Sequence, residues 1–198
     1  ALFSLELSNE QIVGRMLSNL SGIDNTKLRT GNLKSDEWKY LSFVVEQLGK
    51  HSIVFDDSAS SKIGDLRAKS RQKRQEGKLD VIIIDYLQLL TADGRSGNRQ
   101  EEVSKISRSL KQLAKELQVP VIALSQLSRR VEGRTSFEPI LSDLRESGSI
   151  EQDADIVMFL HSDDYYNQDK TRLTGKMDVI IAKNRQGMQG RLHFTFEP

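Results

Sequence analysis

Three residues of this 198-residue chain stand where a buried strand ought to end: Glu6, Asp85 and Gln126. Each follows an apolar run, A-L-F-S-L at Ala1 to Leu5, V-I-I-I at Val81 to Ile84 and V-P-V-I-A-L at Val119 to Leu124. Open α/β sheets place their ligands beyond the carboxyl ends of several strands, so a common address there would gather two acids and an amide. That set suits nucleotide hydrolysis. One carboxylate holds Mg²⁺ beside a phosphate, a second orients water or accepts its proton, and an amide senses the terminal phosphate. Taken alone, Asp85 could equally cap the turn that follows it. Glu6 and Asp85 do not read as a glycosidase pair, because no sugar cleft or aromatic platform accompanies them.

The elements that must position these residues follow from periodicity. Val81 to Ile84 are all β-branched with no apolar/polar alternation, which predicts a central parallel strand buried on both faces. Ala1 to Leu5 and Val119 to Leu124 read as further core strands. Ser8, with Gln11 three residues on, forms a capping-box pattern for a helix whose apolar stripe is Ile12, Val13, Met16, Leu17 and Leu20. Gly22 to Asn32 is turn-like. A second helix is expected over Asp36 to Leu48, with Ser35 as N-cap and Trp38, Leu41, Val45 and Leu48 on one face. Ile53 to Phe55 is a short strand finished by Asp56 and Asp57, acids that resemble a metal pair but read as turn and helix-start residues. Ser61 to Glu76 is a basic helix, with Lys62, Arg67, Lys69, Arg71, Lys73 and Arg74, read as a solvated or subunit-facing surface in preference to a DNA contact. Thr91 to Gln100 is a polar loop bearing Arg95 and Arg99, and a long helix runs from Glu101 to Leu117. A strand, a helix and a strand across about 30 residues make a right-handed crossover unit and set the class as α/β.

The second half is less regular. Ser128 to Gly148 carries Arg129, Arg130, Arg134 and Arg145 with few large apolar residues. Asp155 to His161 is another strand, and Lys176 to Lys183 and Arg191 to Phe196 form an antiparallel hairpin at the sheet edge, the latter alternating Leu192, Phe194 and Phe196 with polar residues. The whole is expected to be one layered domain of six or seven strands with helices on its faces.

Composition excludes several functions. There is no cysteine, so disulfide and thiolate chemistry are absent from this chain. His51, His161 and His193 lack metal-ligand spacing. No apolar run approaches the roughly 18 residues of a membrane span, and no signal-peptide pattern opens the chain. The net charge of +1, from 29 basic and 28 acidic residues, does not announce a nucleic-acid binder, although local clusters can still hold phosphate. A core strand at the first residue, without methionine, leads to the expectation of a longer parent polypeptide.

Five segments carry a resemblance. F-S-L-E-L at Phe3 to Leu7, I-I-D-Y-L-Q-L at Ile83 to Leu89 and V-I-A-L-S-Q-L-S-R at Val121 to Arg129 resemble, in order, segments of the bacterial replicative DNA helicase family of DnaB type. S-D-L-R-E-S-G-S-I-E-Q-D-A-D at Ser142 to Asp155 and K-N-R-Q-G at Lys183 to Gly187 extend the resemblance over nearly the whole chain, and the first of these is the sharpest.

The resemblance implies a RecA-like P-loop NTPase core, a mostly parallel sheet flanked by helices with an antiparallel edge hairpin. Residues 1–198 would be the motor domain of an ATP-dependent helicase, using ATP and Mg²⁺ and assembling as a homo-hexamer around single-stranded DNA. Primase and a helicase loader would be partners, and the location would be the cytoplasm at the bacterial replication fork. Glu6 then resembles the glutamate that polarises the attacking water, and Asp85 the Walker B aspartate at Mg²⁺. Gln126 resembles the residue linking the γ-phosphate to the DNA-binding loops. Arg185 resembles an arginine finger reaching the neighbouring subunit's phosphates, with Lys183 as its partner. Arg145, Glu146 and Gly148 fall in a loop facing the DNA backbone, and Arg129 and Arg130 add to that side.

One departure matters. The chain contains no G-x-x-x-x-G-K-S/T phosphate loop, which in the family lies immediately upstream of the segment matching Phe3 to Glu6. The expected missing piece is a first strand, the phosphate loop and its helix, which would leave the isolated chain weakly active or inactive. A related RecA-like recombination or repair ATPase, and a non-catalytic DNA-binding or assembly fragment, stay open as alternatives.

Overall fold

The computed structural model describes residues 1–58, 60–94, 97–167, 169 and 173–196, with the side chains of residues 145–147 outside that description. The chain divides into two compact units, Ala1–Leu90 with Ala114–Leu124, and Thr91–Leu113 with Ser125–Pro198.

The first unit is built on a parallel sheet of β1 (Leu2–Ser4), β2 (Phe55–Asp56), β3 (Ile82–Asp85) and β4 (Val121–Ala123), in the order β2-β1-β3-β4. Its helices are α1 (Asn9–Ser21), α2 (Asn25–Thr30), α3 (Ser35–Gly49) and α4 (Ile63–Gln75), and β3 is connected to β4 through α5 (Arg99–Leu117), the expected crossover helix. The capping box forms at the start of α1: Gln11 N–H donates to Ser8 Oγ (3.3 Å) and Ser8 N–H to Gln11 Oε1 (3.0 Å).

Three expectations are corrected here. The supposed turn after Gly22 contains α2, capped by Asp24 Oδ1 accepting from Thr26 N–H (2.7 Å) and Lys27 N–H (3.2 Å). At six residues it has no apolar stripe to reveal it. Helix α3 begins after Lys34, not Ser35, because Glu37 reaches back to accept Lys34 N–H (2.7 Å). Its buried residues are Leu41 and Val44, while Trp38 and Val45 are exposed. Finally, Val81 to Ile84 is not buried on both faces. Ile82 and Ile84 are 0% exposed, whereas the register Leu2–Ile83–Ile122 marks a face that opens outward, Ile122 being 46% exposed.

The second unit holds an antiparallel sheet of β5 (Ile156–His161), β6 (Lys176–Asn184) and β7 (Gly190–Thr195), with α6 (Gly148–Asp153), α7 (Asp163–Tyr166) and 3₁₀ helices at Arg129–Gly133 and Leu141–Ser147. The hairpin read from alternation is β6 and β7. Leu144, Val157 and Phe159 form the core of this unit, with Leu141, Ile150 and Ile180 against them. The strand read over Asp155 to His161 is β5, and its burial alternates, with Val157, Phe159 and His161 buried. The opposite sheet face carries Met158, Leu160, Leu192 and Phe194, all exposed. Leu160, Val179 and Leu192 are in register across the three strands, so the apolar side of the hairpin belongs to that open face and not to the core. The strands expected as one sheet are therefore two hydrogen-bonded sheets.

The two faces of the parallel sheet should respond differently to truncation. Ile84→Ala should destabilise the chain by about 2–5 kcal/mol and Ile122→Ala by less than about 1 kcal/mol in urea unfolding. Equal losses would contradict the assigned faces.

Candidate functional site

Glu6 and Asp85 come from adjacent parallel strands. Ser4 is the register partner of Asp85, and Leu5 N–H donates to the Asp85 carbonyl at 2.8 Å. Past that bond the chain leaves the sheet, and the Ser4 hydroxyl closes the exit: Oγ donates to the Leu7 carbonyl (2.7 Å) and accepts Leu7 N–H (3.1 Å). Ser4 is only 2% exposed, so its hydroxyl is available to this turn and little else. A second restraint comes from the end of β2. Asp57 accepts Asn9 N–H (3.0 Å) and Asn9 Nδ2–H (2.9 Å), fixing the first residue of α1. The segment carrying Glu6 is thus held at both ends, and its side chain is exposed. Glu6, Ser4, Ser8, Asp57, Ser58 and Ser61 help line an open cleft of about 430 Å³.

Asp56 and Asp57 are structural, as their reading as turn and helix-start residues anticipates, though the helix started is α1. Burial would raise the Asp56 carboxyl, but Lys69 (2.6 Å) and Ser58 N–H (3.0 Å) outweigh it and hold it below the ordinary value. Asp85 is half-buried at the end of β3, and the Asp85–Tyr86 peptide is cis. Among the described residues no group of three or more histidine, cysteine or acidic side chains could hold a metal ion. Mg²⁺ bound beside a nucleotide keeps several waters and takes one or two carboxylates plus phosphate oxygens, and a single strand-end carboxylate such as Asp85 would supply one of these ligands. Gln126 is exposed and lies in the second unit, two residues beyond Leu124, whose N–H donates to the Ile84 carbonyl (2.9 Å).

Lys183 and Arg185 meet at the C-terminal end of α6. Lys183 Nζ donates to the Glu151 carbonyl, Arg185 Nη2 donates to the Gln152 carbonyl, and Arg185 Nη1 lies 3.7 Å from Asp155 Oδ1. Cations are favoured there, where helix carbonyls lack partners. Asp155 is also bound by Lys111, and that hydrogen bond holds its carboxyl below the ordinary range.

Arg129 and Arg130 are exposed on the 3₁₀ helix Arg129–Gly133. Gly148 opens α6 with φ −51°, an ordinary helical conformation, and a Cβ there would meet nothing within 4 Å. The side chains of Arg145 and Glu146 lie outside the described residues, as does Arg95. The basic helix α4 is largely paired: Arg71 with Glu116 (2.5 Å), Lys69 with Asp56, Lys73 with Glu76 (2.9 Å). These pairs occupy the cations with neighbouring carboxylates.

Sequence reasoning missed Asp143, which organises the irregular region. Its carboxylate accepts two bonds from the Arg134 guanidinium and one from Ile140 N–H (2.8 Å), and its carbonyl accepts Ser128 N–H (3.0 Å). An acid in a polar stretch gives no periodic signal, and only its burial, at 2% exposure, distinguishes it.

Residues 1–198 match the family model described as the DnaB-like helicase C terminal domain. The chain is 53% identical over 197 residues to the replicative DNA helicase DnaB of Geobacillus stearothermophilus, covering 99% of this chain and 43% of that protein. It is 51% identical to the replicative DNA helicase DnaC of Bacillus subtilis (strain 168), again over 99% of this chain and 43% of the relative. A solved DnaB-like replicative helicase, described with its interactions with primase, superposes with TM-score 0.92 at 40% identity, covering 99% of this chain and 48% of the solved chain. The chain therefore spans less than half the length of these relatives. The mostly parallel sheet flanked by helices matches the RecA-like P-loop NTPase fold of such helicases.

The Asp143 hub makes an acid-dependence prediction. Burial would raise this carboxyl, but Arg134 and Ile140 N–H outweigh it and lower it. A group depressed on folding contributes stability above its unfolded pKa of about 3.9, and the contribution is lost as pH falls through the folded value. Asp143→Asn should therefore cost about 1–3 kcal/mol at pH 7 and flatten part of the loss below about pH 4 in urea unfolding. Unchanged stability at pH 7 would contradict the hub.

Proposed function

Because the chain belongs to the family of DnaB-like helicase C-terminal domains, we propose that it is the motor portion of an ATP-dependent replicative DNA helicase that couples hydrolysis to movement along single-stranded DNA and duplex unwinding. The observation that carries the reading is the Leu5 N–H to Asp85 carbonyl bond, which places the ends of the Glu6 and Asp85 strands side by side. Two carboxylates at neighbouring strand ends suit hydrolysis of a metal-bound phosphate ester.

In this reading Asp85 holds Mg²⁺, which when bound neutralises charge on the phosphate oxygens and draws them into position. Glu6, exposed in its cleft and held by Ser4 and Asp57, orients the attacking water and accepts its proton. Gln126 follows β4 directly and reports the γ-phosphate to the region beyond it. Arg185, with Lys183, is supplied to a neighbouring subunit's nucleotide, where a guanidinium stabilises transferring charge with several aligned donors. Arg129, Arg130 and Gly148 are assigned to the DNA backbone, together with Arg145 and Glu146, whose side chains lie outside the described residues. A backbone held by such contacts is bound without base readout. The working assembly is a homo-hexamer on single-stranded DNA, in the cytoplasm at the replication fork, with primase and a loader as partners. A solved relative described with its primase interactions supports the first of those partners.

These residues do not include a G-x-x-x-x-G-K-S/T loop, so the isolated chain is proposed to be weakly active or inactive, and the test uses the longer parent protein. There, Glu6→Gln should lower Mg²⁺-dependent, DNA-stimulated phosphate release by about 10²- to 10⁴-fold while a fluorescent nucleotide still binds. Normal turnover would remove Glu6 from the chemistry. Strand separation by the unaltered parent protein separates this reading from a recombination or repair ATPase.

A further inference from the structure

Arg185 is held in place before any neighbouring nucleotide is considered, by the Gln152 carbonyl and by Asp155, the acid that faces it. Two contacts run between Arg185 and Asp155. Arg185 N–H donates to the Asp155 carbonyl at 2.9 Å, and Arg185 Nη1 lies 3.7 Å from Asp155 Oδ1. A third restraint, Nη2 to the Gln152 carbonyl, fixes the plane of the guanidinium. A guanidinium has five donors, so this leaves N–H groups to offer a phosphate.

Asp155 is itself oriented. Its other oxygen, Oδ2, binds Lys111 Nζ, which turns Oδ1 toward Arg185. Lys111 belongs to a polar stripe on α5 formed with Ser104 and Ser107, at the three- and four-residue spacings that share a helix face. The stripe grips the segment ahead of Arg185 in sequence order. Ser104 Oγ accepts Ser149 Oγ–H (2.9 Å), Ser107 Oγ donates to Asp153 Oδ2 (2.8 Å), and Lys111 takes Asp155. Helix α6 and Asp155, two residues beyond its end, are therefore docked along one face of α5.

We propose that Asp155 is the positioning residue for Arg185, a role that rests on the reading of Arg185 as a finger acting on a neighbouring subunit's nucleotide. The magnitudes favour position over stability. Arg185 and Asp155 are 48% and 60% exposed, and exposed pairs contribute little to folding because water and salt screen them. An untethered arginine samples many rotamers, whereas a displacement of about 1 Å at a reacting centre can cost about 10²-fold in rate. The pair thus does little for the fold and much for the geometry.

The test is a double-mutant cycle in the intact parent helicase, with DNA-stimulated ATP hydrolysis as readout. Asp155→Ala should lower kcat by about 5- to 20-fold with KM for ATP changed less than about 2-fold and the unfolding midpoint preserved. Asp155→Asn, which keeps the shape and one acceptor oxygen, should fall between it and the unaltered protein. In an Arg185→Ala background, Asp155→Ala should cause no further loss, because its effect passes through that side chain. Three results would overturn the proposal. Undiminished or raised kcat in Asp155→Ala would show that the pair does not set a productive pose. The same fold-loss with and without Arg185 would show an independent structural effect. Normal hydrolysis by Arg185→Ala would remove the finger, and the positioning role with it, whereas a loss in Arg185→Ala alone sinks only the positioning role.

Discussion

The pairing of β1 with β3 is the constraint from which the proposed chemistry follows. Phe3 lies beside Ile84 in register, both buried, so the two strands share one core-facing side and cannot slip by one residue without turning those side chains outward. Once that register is set, the Leu5 N–H to Asp85 carbonyl bond is the last rung before the chains diverge. Asp85 ends its strand at that rung and Glu6 follows one residue beyond it. The buried Ser4 hydroxyl then closes the turn through Leu7, and Asp57 anchors the helix that comes after. A carboxylate on a free loop would sample many positions. Here the backbone on either side of Glu6 is restrained while the side chain faces an open cleft.

The cations in the second unit are organised by a different principle. Lys183 and Arg185 are held mainly by the carbonyls of Glu151 and Gln152, which are neutral acceptors and leave the positive charge of each side chain largely intact. Among the described residues Asp155 alone opposes Arg185 with a formal charge, and it divides itself between Arg185 and Lys111. Guanidinium and ammonium groups held by carbonyls remain able to attract an anion, whereas full pairing with carboxylates would spend that capacity, as it does on helix α4. Asp143 is the counterexample within the same unit. Its buried carboxylate is committed to Arg134 and Ile140 and serves to give an irregular stretch one conformation.

Much of this was legible in the residues because it rests on local rules. The capping box at Ser8 and Gln11, the acids at the ends of β1 and β3, and the β6–β7 hairpin each have a pattern a few residues long. Burial was less legible. An apolar run such as Val81 to Ile84 looks the same whether one face or both are covered, and the run cannot show that Ile122, in register with Ile83, stands open. The amphipathic face of α3 was misplaced for a related reason: Trp38 and Val45 satisfy a helical period but flank the buried Leu41 and Val44. Polar contacts outside any periodic pattern were invisible. Asp57 to Asn9 and Lys111 to Asp155, far apart in sequence, and Arg134 to Asp143, nine residues apart, involve polar residues whose partners only the fold supplies.

In the proposed function Glu6 and Arg185 serve one reaction from two copies of the chain. The most direct measurement mixes subunits of the parent protein carrying Glu6→Gln with subunits carrying Arg185→Ala and follows DNA-stimulated ATP hydrolysis. Each variant alone should be nearly inactive. In mixed rings, an intact Glu6 from one copy meets an intact Arg185 from its neighbour at about a quarter of the interfaces, so activity should reappear. A mixture no more active than either variant alone would mean that both residues act within the same subunit, or that one of them does not act at all.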